Sequence, residues 1–303
     1  MTSAFFLGLI LFPWQTFGAK EAKTPFNLCH EEGEAIEKSL WYYKLGEKVA
    51  YGDHRGLKVL EGANATTFCA LRPSQAPFLE YGRDTQHIYY EDLILPGVQP
   101  ADFTLLWGGI GRGANQIFVL GKVIDVEHPE SFAIVGTLAG GSDRVATKDQ
   151  KAVYSVVMQP FALEGHRVIV HPVEGANPST FTLIDFDERP SCYAKDAAKV
   201  FRFDLHQEQR FTVLQGANPS SFEVLGETWS KDATKVFWYH DEVRGAHAPT
   251  FSALYLLYAK DEHQVYYGDQ LIDGADAQSF KCVKGHGVDA TDDKREYSRG
   301  IAH

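Results

Sequence analysis

Residues 216–239 read GANPSSFEVLGETWSKDATKVFWY, and both halves of this stretch recur along the chain. The opening seven residues return as GANATTF (62–68), GVQPADF (97–103), VEHPESF (126–132), GANPSTF (175–181), GAHAPTF (245–251) and GADAQSF (274–280). Every copy ends in Phe: Phe68, Phe103, Phe132, Phe181, Phe222, Phe251 and Phe280. Self-similarity at this spacing marks a repeat architecture, in which length is a poor guide to domain number. An apolar residue stands two before each phrase (Leu60, Leu95, Ile124, Val173, Leu214, Val243, Ile272) and another three after each Phe. The third position is Asn64, Gln99, His128, Asn177, Asn218, His247 or Asp276, and Pro100, Pro129, Pro178 and Pro219 follow it in four copies. Asn or Asp accepts from orphan N–H groups at a helix start and Pro suits the first helical position, so each phrase predicts a single helical turn. The terminal Phe is expected to pin that turn into the core, contributing about 2–3 kcal/mol by buried area.

The second half recurs as YAKDAAKVFRF (193–203) and YAKDEHQVYYG (258–268), with earlier forms in YGRDTQHIYYE and TKDQKAVYS. Asp84, Asp149, Asp196, Asp232 and Asp261 each head a short polar run that leads into Ile88, Val153, Val200, Val236 or Val265. Asp followed by polar residues between β-branched and aromatic segments predicts a β-hairpin with an Asx-type turn. Gly113 replaces the turn Asp in the third copy and Leu45 does so in the first, while Asp292–Gly300 resembles an eighth hairpin cut short. The expected fold is therefore mostly β: an elongated array of about seven antiparallel β-hairpin repeats over 40–283, each with a one-turn helix anchored by Phe. Residues 284–303 form a degenerate eighth repeat or C-terminal cap. The alternative is β-propeller-like closure, disfavoured because four-stranded blades take about 40 residues while the tightest copies here are 29 apart.

The flanks carry the address. Ala4–Phe12 is a nine-residue apolar run closed by Pro13 and Trp14, too short for the roughly 20 residues of a membrane span. It fits a secretory signal over 1–18 cleaved after Gly18, although no Lys or Arg precedes it. Residues 19–39 are an N-terminal segment, and the mature chain is expected to be periplasmic or extracellular with no membrane insertion. Cys29, Cys69, Cys192 and Cys282 allow three pairings in an exported chain, among them Cys29–Cys69 with Cys192–Cys282, or remain buried thiols.

The run YAKD…VYYG…GADAQSF resembles the DKNYY family, the nearest forms being Lys260–Tyr267 and Lys231–Tyr239. The resemblance spans roughly 40–300 and is strongest from 193 to 283, but no copy has the Asn that follows Lys in the family core. It implies a bacterial, often exported repeat protein without an established activity, and it carries no catalytic residues across.

Composition and motifs exclude more than they assign. A formal charge of −11 without a basic cluster argues against nucleic acid and anionic membranes. One carboxylate per turn falls short of the six or more oxygens calcium takes, so the aspartates read as turn caps. The twelve histidines show no metal-ligand spacing, and neither a nucleophile motif nor a phosphate loop is present. No catalytic, cofactor-binding or metal-ligating residue is assigned, and no cofactor is implied. The aromatic runs (Tyr89-Tyr90, Phe237-Trp238-Tyr239, Tyr266-Tyr267) are expected to point alternate rings inward and outward, and the outward rings either cover the sheet's second face or form an exposed strip, a candidate binding surface. The insertion between Tyr154 and Val173, with Gln159-Pro160-Phe161, His166 and His171, is a second candidate, because insertions in arrays emerge on one face. The expected function is a non-catalytic exported binding or scaffold protein of the cell envelope, with a protein or glycan ligand. The rival is an envelope hydrolase acting on glycans through two carboxylates in an aromatic groove.

Overall fold

The computed structural model describes residues 34–36, 39–53, 56–71, 81–160, 165–206, 209–255, 257–283 and 288–303. The expected signal over 1–18, Cys29 and Phe161 lie outside them. The described chain forms eight four-stranded antiparallel sheets, each with its strands in simple chain order. In sequence they are A (34–59), B (69–94), C (104–124), D (133–172), E (182–213), F (223–242), G (252–271) and H (281–302).

The repeating unit is thus a four-stranded meander rather than a hairpin plus a helical turn. Twenty residues suffice for four strands in sheet F because its strands are only two or three residues long. Two-residue turns join the last two strands of sheets B, F and H, with Glu91, Tyr239 and Arg299 in the left-handed region, the conformation such tight hairpins require. Seven phrases link the eight sheets of the described residues. Sheet H has all four strands, and its Asp292 turn repeats the bonds of the others.

The phrases form turns, and only Pro100–Asp102 and Pro129–Ser131 wind into short 3-10 helices. Elsewhere the third residue still caps: the Oδ1 atoms of Asn64, Asn177, Asn218 and Asp276 accept the N–H two residues on, at 2.9–3.0 Å. All seven anchoring Phe side chains are buried. Each bridges two sheets: Phe68 lies 5.0 Å from Tyr42 of sheet A and 5.5 Å from Tyr89 of sheet B. Phe222, Phe251 and Phe280 repeat this between E and F, F and G, and G and H.

Six apolar clusters fill the spaces between consecutive sheets. Interior sheets are therefore packed on both faces: Tyr89 and Tyr90 point to opposite faces into different clusters and both are buried, so the second ring covers the sheet's other face and forms no exposed strip there. The first strands of C, D, E and F approach one another in series, and no closed barrel or propeller is formed among the described residues. Cys69, Cys192 and Cys282 are free thiols. Cys192 sits in the cluster between E and F and Cys282 against the one between G and H, so the expected Cys192–Cys282 bridge is not made.

Candidate functional site

The recurring polar residues are consumed by the joints between sheets. Asp232 shows the pattern: Oδ1 accepts the N–H groups of Thr234 and Lys235 at 2.7 and 2.8 Å, closing the turn. Its Oδ2 takes the Asn218 N–H at 2.9 Å, holding the third residue of the preceding phrase. Asp84, Asp196, Asp261 and Asp292 hold Asn64, Asn177, His247 and Asp276 in the same way. Where the residue five positions on is Tyr, its hydroxyl donates too, as from Tyr89, Tyr154, Tyr266 and Tyr297. Burial pushes these carboxyls up, but the converging N–H and O–H donors outweigh it, and Asp84, Asp149, Asp232, Asp261 and Asp292 end below the ordinary range. The aspartate ladder is a set of clasps, as the turn-cap reading expected; no group of three potential metal ligands occurs among the described residues.

The residue before each clasp works in the opposite direction. Lys148 and Lys195 donate to the Pro178 and Pro219 carbonyls of the following phrase. Lys231 reaches the Ala248 and Phe251 carbonyls, Lys260 those of Ala277 and Phe280, and Arg112 that of Glu130. One Lys-Asp pair thus grips both flanking phrases. Two sheets depart from the pair: Leu45 stands at the Asp position of sheet A and Thr291 at the Lys position of sheet H.

Against this regularity two places stand out. The first is the insertion in sheet D, which lengthens its last two strands to Val153–Gln159 and Arg167–Pro172. It reaches back past sheet C to sheet B, where His166 Nε2 lies 2.7 Å from Glu91 Oε1, an atom that also accepts from the Tyr51 hydroxyl. His166 Nδ1 meets the Pro160 carbonyl, while His171 stays apart in the fourth strand opposite Ser155.

The second is the junction of sheets E and F. One residue of the third strand pairs across with the residue opening the Lys-Asp segment, and in sheets A, B, F and G both are aromatic. Tyr42–Tyr51, Tyr81–Tyr90, Trp229–Trp238 and Tyr258–Tyr267 have ring centroids 4.7–5.5 Å apart. In sheet E the pair is Tyr193 and Arg202. The next sheet compensates. Gly121, Gly268 and Gly300 sit against the rings of Tyr90, Trp238 and Tyr267, whereas over Arg202 the equivalent turn carries Tyr239-His240. The guanidinium carbon lies 5.6 Å from the Tyr193 ring centroid and 4.6 Å from that of Tyr239.

Arg202 is only 6% exposed, and among the described residues no carboxylate pairs with it. Its Nη1 donates to His240 Nε2 at 3.1 Å, and His240 Nδ1 lies 3.2 Å from Thr212 Oγ1. The Arg202 Nε, the Tyr193 hydroxyl and the Ser230 hydroxyl are buried without a hydrogen-bond partner. Ser230 and Arg202 are the polar groups that face the Tyr193 hydroxyl, whose pKa burial pushes up. Sequence reading passed over Arg202, though the signal was visible: it is the one cation in a column otherwise reading Tyr51, Tyr90, Val119, Ser155, Trp238, Tyr267 and Ser298. Gly108–Gly113, superficially a phosphate loop, supplies two turns of sheet C.

Eight sheets joined by Phe-anchored phrases, six of them clasped by an aspartate, define a β-repeat protein. The DKNYY family model matches residues 36–269 and again 163–300, overlapping as a recurring unit allows, and the chain belongs to the DKNYY family. No curated protein and no solved structure shows a significant match to it.

Proposed function

We propose that the chain is a non-catalytic exported binding or scaffold protein of the bacterial cell envelope, its eight sheets arranged as an open, elongated row. The observation that carries this reading is the contrast between spent and unspent chemistry. The recurring aspartates and lysines are engaged in clasps, whereas the junction of sheets E and F holds the buried cation Arg202, whose Nε is orphaned beside the orphaned Tyr193 and Ser230 hydroxyls. A glycan hydrolase needs a pair of carboxyls, one of them held protonated. The clasping carboxyls are instead biased toward the charged form. Export rests on the apolar run Ala4–Phe12, and the acidic balance favours neutral or cationic surfaces over nucleic acid.

Native mass spectrometry of the protein purified from the exported compartment of its source tests the reading. Loss of about 18 N-terminal residues with a retained adduct is the expected result. An uncleaved chain, or release of new reducing ends from envelope glycans by the purified protein, would refute it. Small-angle scattering checks the row: an elongated particle is expected, and a ring-like profile would restore propeller closure.

A further inference from the structure

We propose that the junction of sheets E and F is a binding site for a carboxylate group, taken by Arg202 with Tyr193 and Ser230. The proposal rests on the binding-protein reading and names its ligand chemistry. A guanidinium keeps its charge in proteins, and a buried one is ordinarily paired. Arg202 is 94% buried, with two aromatic faces and the His240 imidazole beside it. Rings over a cation contribute roughly 0.5–2 kcal/mol, while the effective penalty for burying an ion is several kcal/mol. Neither ring nor imidazole supplies a negative charge. Asp204 and Glu227 act on the adjacent Cys192, yet among the described residues neither forms an ion pair with Arg202.

The unfilled hydrogen-bonding capacity points the same way. His240 takes Nη1, which leaves the Nε edge of the guanidinium, the edge that receives a planar carboxylate through parallel bonds. The Tyr193 hydroxyl lies beside Ser230 and Arg202, yet neither hydroxyl has a partner at ordinary hydrogen-bond distance, so both are left for a ligand oxygen. Charge and setting select the class: one cation neutralises one carboxylate, whereas a phosphate dianion would leave charge uncompensated in an aromatic surround. Tyr239 and His240, which cover Arg202, are themselves exposed, so the site lies one side-chain layer beneath solvent. Its aromatic wall suits a carboxylate carrying an apolar or ring substituent.

Thermal unfolding and calorimetry of the full chain, titrated with sodium acetate and sodium benzoate against sodium chloride at equal ionic strength, decide it. A saturable rise in Tm and measurable heat with the carboxylates is expected, with benzoate tighter than acetate, and neither with chloride. Arg202→Gln with a wild-type circular dichroism spectrum should abolish the response, and Tyr193→Phe and Ser230→Ala should each weaken affinity several-fold. An equal rise in chloride, no response in the wild type, or a response retained in Arg202→Gln overturns the proposal. Should Arg202→Gln not fold, unchanged affinity in both hydroxyl variants overturns it. An adduct that survives these variants in native mass spectrometry would leave the binding-protein reading standing while this site falls.

Discussion

Sheet C offers a way to build a clasp where the chain lacks one. Gly113 occupies the Asp position and keeps the turn's backbone bond, its N–H reaching the Gln116 carbonyl at 2.9 Å as Asp232 reaches Lys235. Its φ is not among the left-handed values, and an added Cβ would meet Val98 and Phe118 at 3.4–3.6 Å, ordinary contact. By analogy with Asp232, the Gly113→Asp carboxylate would accept the N–H groups of Asn115, Gln116 and Gln99. Bonds to a charged acceptor contribute about 1.5–3 kcal/mol each, opposed by a desolvation penalty of several kcal/mol for the buried carboxylate. Relief of the unfolded chain's glycine entropy adds about 0.4–1 kcal/mol. The balance predicts stabilisation of about 1–2 kcal/mol. Gly113→Ala isolates the entropic part, so the clasp is the excess of Asp over Ala in urea unfolding midpoints. That excess should begin to fall near pH 4, the unfolded carboxyl's value, and be lost as pH drops through the lower folded value. An Asp variant no more stable than the Ala variant at neutral pH would refute the account of the clasps.

The remaining predictions concern clasps and anchors already present. Asp261→Asn keeps the turn acceptor but turns an amide toward the His247 N–H and the Tyr266 hydroxyl, and should cost about 2–4 kcal/mol in urea unfolding; a change below about 0.5 kcal/mol would contradict the clasp. Gly82→Ala drives a methyl into the Phe68 ring and should cost about 1–3 kcal/mol, with wild-type thermal stability as the contrary result. Because Asp84, Asp149, Asp232, Asp261 and Asp292 have folded pKa values below their unfolded ones, their contribution is complete above the unfolded value near 3.9 and is lost as pH falls through the folded values. Unfolding midpoints should therefore be flat from about pH 5 to 7 and drop steeply below about pH 4, whereas a decline beginning near pH 6 would exclude the carboxyls as its cause.

Much of the joint was legible in residue columns. The phrase with its buried Phe, the Asp turn and the apolar residues on either side were all read from spacing, because each acts within a few residues of itself. The unit's size was not. Strands such as Glu223–Val224 and Asp241–Glu242 are two residues long, and two residues carry no alternation from which a strand can be recognised. The small residues facing each Phe were also missed, although Gly82, Gly111, Thr147, Ala194, Ser230, Ala259 and Ala290 form a column. Their restriction comes from a ring in the preceding phrase, a tertiary cause. Arg202 escaped for the related reason that its compensation, Tyr239-His240, lies in the next unit.

The paired grips bear on how such a chain can change its number of units. Recombination that drops or duplicates one whole unit hands each Lys-Asp segment an equivalent linker on either side, so copy number can drift while every joint survives. The junction of E and F is exempt from that freedom. Arg202 belongs to one unit and Tyr239 with His240 to the next, so an exchange that parts these neighbours leaves a cation facing a bare turn. Sheets E and F therefore keep this joint only when they are exchanged as a pair.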